Sequence, residues 1–360
     1  MVLTRRAHRD ISRRLPNEII TEIVQAARRS DQASLCRISQ LFYAVSLPVL
    51  YRDVRMETAA SALAFRSSVM SNNVLAELVR SYAVVFPILP RPGPLLVDSI
   101  EVLTRLQDLS ILSFSVEAHF EELLGWTFPH LAKCRLLLAT QKPNLLVSFL
   151  LRHPGLKILC IQDHHEMVSW PSTARIPLLN LTQLWCPVTL VPSIITHNLK
   201  RAKLCWNDHE VDPSAVEKTF VALKSMSRPD APFVCSNSSS DHYFTEIMHS
   251  ISKHMPHTTT LQLTLWSPDD ISSHFTDGLP RSNSLAFLSL QYMEPLNHPD
   301  HAFWNNEEDQ TVVHSMGDAC PTLQALRLHQ RAWRKVDQTW ETYPVEDFEV
   351  LAGLSKMKKS

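Results

Sequence analysis

Apolar residues recur at helical spacing near the start of the chain and at strand spacing through most of its remaining length. Ile19, Ile20, Ile23, Val24 and Ala27 fall at i, i+1, i+4, i+5 and i+8, which is one face of a helix. Pro16 suits the first turn of that helix, where a missing N–H loses no partner. Ser30 or Asp31 is placed to cap a second helix carrying Leu35 and Ile38. Ser39 is placed to cap a third, with Leu41, Phe42 and Val45 inward and an expected end before Pro48. Three short helices bury little surface alone, so the block is expected to dock on the rest of the chain, on a partner, or on both.

A helical connector is predicted from Thr58 to Leu78, with Leu63, Phe65, Val69 and Leu75 apolar, followed by the proline-rich stretch PILPRPGP at 87–94. Beyond it a hexapeptide recurs: LQDLSI from Leu106, LAKCRL from Leu131, LKILCI from Leu156 and LTQLWC from Leu181, at starts 25 residues apart. Weaker copies are LKRAKL from Leu199, TTTLQL from Thr258, LAFLSL from Leu285 and LQALRL from Leu323, with Phe233-Val234-Cys235 as a degenerate one. In L-x-x-L-x-L the last four positions make a short strand whose alternate residues point inward. Segments such as HFEELLGW, NLLVSFLL and HYFTEIMHSISKHM bring apolar helical stripes between the strands. Neither half of such a unit buries its face alone, so the units must stack. The expected class is α/β, and an all-helical array is the competing reading. The later spacing is uneven, so the array should be irregular. Trp333, Trp340, Tyr343 and Phe348 precede a predicted helix from Val345 to Lys358, with Glu346 and Asp347 at its start and Lys356, Lys358 and Lys359 at its end. That segment is expected to cap the last repeat. The layout is thus a basic arm at 1–12, a helical block at 13–54, a connector and loop at 55–98, an array at 99–330 and a cap at 331–360.

Composition removes more functions than it suggests. The six glycines stand at 93, 125, 155, 278, 317 and 353, too far apart for any phosphate-cradling loop or G-x-S-x-G elbow. The seven cysteines contain no C-x-x-C pair and are odd in number, which points to a reducing compartment. With a formal net charge of -1, no global field recruits nucleic acid or a membrane surface. MVLTRRAHRDISRR lacks the apolar run of a signal peptide, and no membrane-length apolar stretch comes after it, so cytoplasm or nucleus is the expected setting. Asp163-His164-His165-Glu166 is the most metal-like cluster, but four adjacent side chains do not converge on one ion, and Ser169 breaks an HExxH helix. His249, His254 and His257 are expected at the surface, and Cys134, Cys186 and Cys235 as packing atoms. No catalytic residue, metal ligand or cofactor is assigned, and a metal-dependent hydrolase would need bound metal, for which only this scattered histidine set offers ligands.

Leu15-Pro16-x-Glu18-Ile19-Ile20, Ser30-Asp31, Leu35-Cys36-Arg37-Ile38-Ser39, Phe42 and Pro48-Val49-Leu50-Tyr51-Arg52 resemble the F-box nearly end to end, across residues 13 to 54. Gln32 departs from it, standing where the family usually has an apolar residue. The hexapeptides resemble leucine-rich repeats, whose period is 20–29 residues, without their asparagine after the strand. The resemblance implies a three-helix plug for the Skp-type adaptor of an SCF ubiquitin ligase, and through it a cullin, followed by an irregular leucine-rich-repeat-like solenoid that holds a target protein. Its adaptor-facing positions would be Leu15, Pro16, Ile19, Ile23, Leu35, Ile38, Phe42 and Leu50. The implied role is a non-catalytic substrate receptor; the alternative is an interaction scaffold outside any ligase.

One further expectation comes from stacking. The residue between the last two apolar positions of each hexapeptide points away from the core, which gives the column Ser110, Arg135, Cys160, Trp185, Lys203, Val234, Gln262, Ser289 and Arg327. It holds three cations and no acid, with Trp185 as an aromatic anchor. Arg135, Trp185, Lys203, Gln262 and Arg327 are therefore the candidate target contacts, suited to an acidic or phosphorylated segment.

Overall fold

The computed structural model describes residues 15–85, 102–103, 106, 109–114, 124–138, 143–163, 174–206, 213–238, 244–265, 284–292 and 306–354. The predicted arm, the 87–94 loop, His164 to Glu166 and the lysines after Ser355 lie outside these. The chain forms two compact units, Met1–Leu136 and Leu137–Ser360.

The first unit opens with helices α1 (Asn17–Ala26), α2 (Arg29–Leu35) and α3 (Gln40–Arg52), with α1 and α2 both packed on α3. Pro16 is the N-cap of α1 rather than its first residue. Neither Ser30 nor Asp31 caps α2: the helix starts one residue before Ser30, and Asp31 sits in its first turn. Ser39 does cap α3, its Oγ accepting from the Phe42 N–H at 3.3 Å. The expected stop before Pro48 is wrong, since α3 runs through the proline to Arg52. Proline removes only its own N–H bond and crowds one turn. Packing of α3 against α1, α2, the following strand and a later helix holds the remaining turns.

Strand β1 (Asp53–Met56), helices α4 (Ala59–Ser71) and α5 (Asn73–Leu78), then strands β2 (Ser81–Val84), β3 (Ile111–Phe114) and β4 (Lys133–Leu138) come next. Neighbours β1-β2, β2-β3 and β3-β4 are parallel. The connector is thus two helices, with Phe65, Val69 and Leu75 buried but Leu63 44% exposed. Strands β1 and β2 have no hexapeptide to announce them. Their sequences, YRDVRM from Tyr51 and VRSYAV from Val79, put Val, Tyr and Met where the repeat has leucine, yet Val54, Met56, Val79, Tyr82 and Val84 are buried.

Backbone hydrogen bonds fix the phase of each unit. The carbonyl of the second position accepts from the second and third N–H groups of the next unit: Lys157 from Thr182 and Gln183, Thr182 from Lys200 and Arg201, Ala286 from Gln324 and Ala325. Ser110 plays that part for Ala132 and Lys133, so its unit begins at Leu109 and reads LSILSF, not LQDLSI from Leu106. Leu106, Leu109 and Leu112 repeat the same three-residue spacing, which leaves the phase ambiguous until the ladder is seen.

The second unit carries α6 (Pro143–Leu151), β5 (Ile158–Asp163), β6 (Ile176–Pro177), β7 (Gln183–Pro187), a 3-10 turn (Val188–Ser193), β8 (Ile194–Ile195), β9 (Arg201–Cys205), α7 (Pro213–Met226), β10 (Phe233–Ser238), α8 (Phe244–His254), β11 (Thr258–Leu265), β12 (Phe287–Tyr292), α9 (Asn306–Ala319), β13 (Ala325–Leu328), β14 (Arg331–Val336), β15 (Thr339–Tyr343) and α10 (Val345–Leu351). Its large sheet runs β5-β7-β9-β10-β11-β12-β13-β14-β15, parallel as far as β13, while β6 and β8 form a separate small pair. The fold is therefore mixed α/β and parallel-dominated, and strands replace the all-helical alternative.

Alternation divides the side chains of this sheet between two faces. One face stacks Leu159, Leu184, Ala202, Cys235, Leu261, Leu288 and Leu326 in register, all at most 1% exposed. Helices α7 and α9 lie on this face. Trp206 stacks on Phe220 of α7 with centroids 6.3 Å apart and donates its indole N–H to Asn237 Oδ1 at 3.0 Å, satisfying an inward polar side chain. Gly317 of α9 meets Trp340 so closely that a Cβ there would lie 2.6 Å from the indole nitrogen.

The far edge differs from the expected helical cap. β14 and β15 fold antiparallel onto β13, closing the parallel run with a hairpin. Its turn has Asp337 and Gln338 at φ 46° and 73°, the positive pair that a two-residue hairpin requires. α10 ends at Leu351, not Lys358. Gly353, at φ 72°, terminates it: its N–H bonds the Val350 carbonyl, and the Leu354 N–H bonds the Glu349 carbonyl. That pairing is the Schellman stop, and a left-handed glycine is what allows it.

Candidate docking surfaces

Two surfaces carry the residues singled out from sequence, one in each unit. On α1 the apolar positions separate into two rows. Ile20 and Val24, four residues apart, are fully buried; Ile19 and Ile23, also four apart, are 40% and 48% exposed. Leu15 and Ile38 are likewise exposed, as are Pro16 and, beside them in the block, Tyr43. Leu35, Phe42 and Leu50 are half-buried. Five large apolar side chains, Leu15, Ile19, Ile23, Ile38 and Tyr43, are exposed within thirty residues, a concentration that an isolated surface residue does not form.

The buried environment of Gln32 accounts for its polarity. Its Nε2 donates to the carbonyls of Val24 and Ala27 at 3.0 Å each. The C-terminal turn of α1 leaves carbonyls without helical partners. A polar residue at this position closes that end of α1 from the start of α2, which an apolar residue does not do.

The second surface is the other face of the large sheet in the second unit. Registers place Cys160, Trp185, Lys203, Ser236, Gln262, Ser289 and Arg327 side by side across seven strands. Ser236 stands where Val234 was expected, because the degenerate unit begins at Pro232 and Val234 is its third position. In the first unit Ser113, not Ser110, pairs beside Arg135 on β4. The row is less open than expected: Cys160, Ser236 and Ser289 are buried, while Trp185, Lys203, Gln262 and Arg327 are half-buried.

Arg135 is half-buried on β4 of the first unit, and the candidate contacts of the second unit have local chemistry of their own. Lys203 Nζ lies 3.8 Å from the centre of the Trp185 ring, and the Trp185 indole N–H points to Cys205 Sγ at 3.2 Å. The Ser236 hydroxyl donates to Gln262 Oε1 at 3.0 Å. Arg327 pairs with Glu349 of α10 at 2.6 Å, both side chains 12% exposed, and donates from Nε to the His329 carbonyl at 2.8 Å. Third positions on the same face add Arg201, whose guanidinium donates to the Gly353 carbonyl at 2.9 Å and whose pKa burial lowers. The third and fifth positions of β5 to β13 thus hold Arg201, Lys203 and Arg327 and no acid.

Helix α10 lies on this face, a placement that the sequence did not reveal. Phe348, Ala352 and Leu354 form a buried cluster with Val234, Ala325 and Ala332, and Phe287 and Tyr343 pack against it. Phe348 meets the rings of Phe287 and Tyr343 with centroids 6.4 Å away in each case. The Thr260 hydroxyl donates to the Ala352 carbonyl at 3.0 Å. Burial pushes the Tyr343 phenol up to about 12, with Arg334 opposing and Asp347 adding to the rise. The phenol is therefore neutral at physiological pH.

The other chemical candidates do not converge. His249 is exposed, His254 faces Glu217 at 3.3 Å and His257 faces Ser227 Oγ at 3.0 Å. Among the described residues no group of three His, Cys, Asp or Glu side chains is arranged to hold a metal ion. Cys134, Cys186 and Cys235 are buried, and burial raises the thiol pKa of Cys186 well above its usual range and that of Cys235 to about 12. Such thiols stay protonated and pack as small apolar groups. No helix among the described residues is long and apolar enough to cross a membrane. No protein-family model matches the chain, and no curated protein matches it.

Proposed function

We propose that the chain is the substrate-recognition subunit of an SCF-type ubiquitin ligase. In this reading α1 to α3 are an F-box that engages a Skp-type adaptor, and the strand ladder is a divergent leucine-rich-repeat solenoid that holds a target protein. The subunit itself is non-catalytic and needs no cofactor. It raises the concentration of a target lysine beside the ubiquitin-charged enzyme, and proximity supplies the rate. Its place is the cytoplasm or nucleus.

The observation that carries this reading is the exposed row of Leu15, Ile19 and Ile23 against the closed row of Ile20 and Val24, with Ile38 also exposed in the turn after α2. A block of this size that leaves four large aliphatic side chains in water is built to be covered. Affinity purification of the full chain beside an Ile19→Glu/Ile23→Glu variant tests it. Wild type is expected to bring down the adaptor and a cullin, and the variant neither. Adaptor without cullin replaces the ligase by a scaffold, and no adaptor with wild type overturns the F-box assignment.

A further inference from the structure

The open face of the large sheet already holds a ligand-like segment, and that segment defines the chemistry the face recognises. α10 contributes no strand, so lifting it unpairs no ladder. It is seven residues long, too short to persist as a helix without a host. The face holds it through one aromatic anchor, Phe348, and through three hydrogen-bonding side chains: Arg327 to the Glu349 carboxylate, Arg201 to the Gly353 carbonyl and Thr260 to the Ala352 carbonyl. Two of the three cations at the third and fifth positions of β5 to β13 are thus committed to this one segment. They meet a carboxylate and the negative end of a helix dipole.

The seat is imperfect in a way that favours exchange. The Tyr343 hydroxyl, buried beside Phe348, finds no hydrogen-bond partner among the described residues. A buried donor without a partner forfeits its hydration, which is returned when the site opens to water. On its outer side α10 shows Val350 and Leu351, 65% and 62% exposed, while Glu346 and Asp347 are also exposed. The segment is therefore acidic and amphipathic, with a single buried aromatic.

We propose that α10 is a displaceable occupant of the target face, and that the partner of this face is an acidic amphipathic helix with an aromatic anchor, which replaces it. The proposal rests on the reading of this face as the target surface. A partner helix would place its aromatic among Val234, Phe287, Ala325 and Ala332 and its carboxylate on Arg327. Lys203, stacked on Trp185 further along the same row, would extend the contact to a longer acidic segment.

The probe is a fluorescein-labelled peptide of residues 343–354, titrated into the full chain. The wild-type chain is expected to bind it at least about tenfold more weakly than a Phe348→Ala chain, whose resident helix is loosened. Arg327→Ala added to Phe348→Ala, or the Phe-to-Ala change in the peptide itself, should abolish capture. Equal binding by wild type and Phe348→Ala, or none by a Phe348→Ala chain that keeps its circular dichroism, overturns the proposal. If Phe348→Ala fails to fold, amide hydrogen exchange on wild type decides: α10 is expected to exchange at least about a hundredfold faster than β11 and β12. Exchange of all three together makes α10 a fixed part of the core and overturns it. Adaptor capture is not read in this assay. A chain that holds the adaptor and fails here loses only the displaceable helix, and one that passes here without the adaptor loses only the ligase.

Discussion

Leu288→Ala is the sharpest probe of the strand ladder. Leu288 sits in β12 between Leu261 and Leu326, in register on both sides, and all three are fully buried. Truncating a buried leucine costs about 2–5 kcal/mol, and least where neighbours collapse into the space. Here both lateral neighbours are pinned by ladder hydrogen bonds, so a loss near the middle of that range, about 3–4 kcal/mol, is expected. With a urea m-value of about 2–3 kcal/mol/M, the midpoint should fall by about 1–2 M at unchanged m. Gln291→Ala, three residues on and pointing to the opposite, half-buried face, should shift it by less than about 0.3 M. Tryptophan fluorescence in urea reads both variants. Equal losses, or a Leu288→Ala shift under about 0.5 M, would mean that the register is slipped by one residue and the faces are reversed.

Three other substitutions or conditions test separate parts of the account. Gln32→Ala removes the side-chain donor to the Ala27 carbonyl and leaves the Val24 carbonyl only the Ala27 N–H, and should lower the stability of the helical block by about 1–3 kcal/mol, read by far-ultraviolet circular dichroism in urea; no change would remove its role in closing α1. Gly317→Ala drives a methyl against the Trp340 ring, nearest atom 2.6 Å, and should cost about 1–3 kcal/mol with a change in tryptophan emission; a neutral result would show that α9 does not press on β15. His153, buried and with Nδ1 donating to the Phe149 carbonyl at 2.7 Å, has its pKa lowered from 6.5, chiefly by burial. The unfolded chain then binds a proton more readily than the folded one, so stability is full above pH 6.5 and declines as pH falls toward the depressed folded value. A His153→Gln chain should lose that acid-side slope, and an unaltered slope would assign it to other groups.

Much of the ladder is legible in the sequence because leucine at the fourth position is buried at Leu112, Leu159, Leu184, Leu261, Leu288 and Leu326. The pattern fails where the same physics uses other side chains. Tyr82 and Val84 close β2 as well as leucine does, and nothing in VRSYAV matches the hexapeptide. It fails again where leucines repeat at the repeat's own internal spacing, as from Leu106 to Leu112, and only the Ser110 carbonyl resolves the phase. The closing hairpin is hidden because its turn is Asp337-Gln338 rather than a glycine pair. Helix α10 is readable as a helix, although the expected run to Lys358 passes over the stop at Gly353, and amphipathicity says only that one side is buried and not which surface buries it. For that reason the column on the open face looks free in sequence, while Arg327 within it is held by the chain itself. On the helical block the reverse is true: the spacing of Ile19, Ile20, Ile23 and Val24 reads as one broad apolar face, and packing divides it into a closed and an exposed row.

Reconstitution from pure components decides whether the exposed row on α1 is the proposed adaptor interface. The full chain and a purified Skp-type adaptor, mixed at micromolar concentration and run on size exclusion with light scattering, are expected to elute as a one-to-one complex. Ile19→Glu/Ile23→Glu should leave both proteins at their separate masses, since replacing two exposed isoleucines by charges removes the apolar contact without touching the buried Ile20 and Val24. A wild-type chain that stays apart from the adaptor, or a variant that still joins it, would rule that interface out.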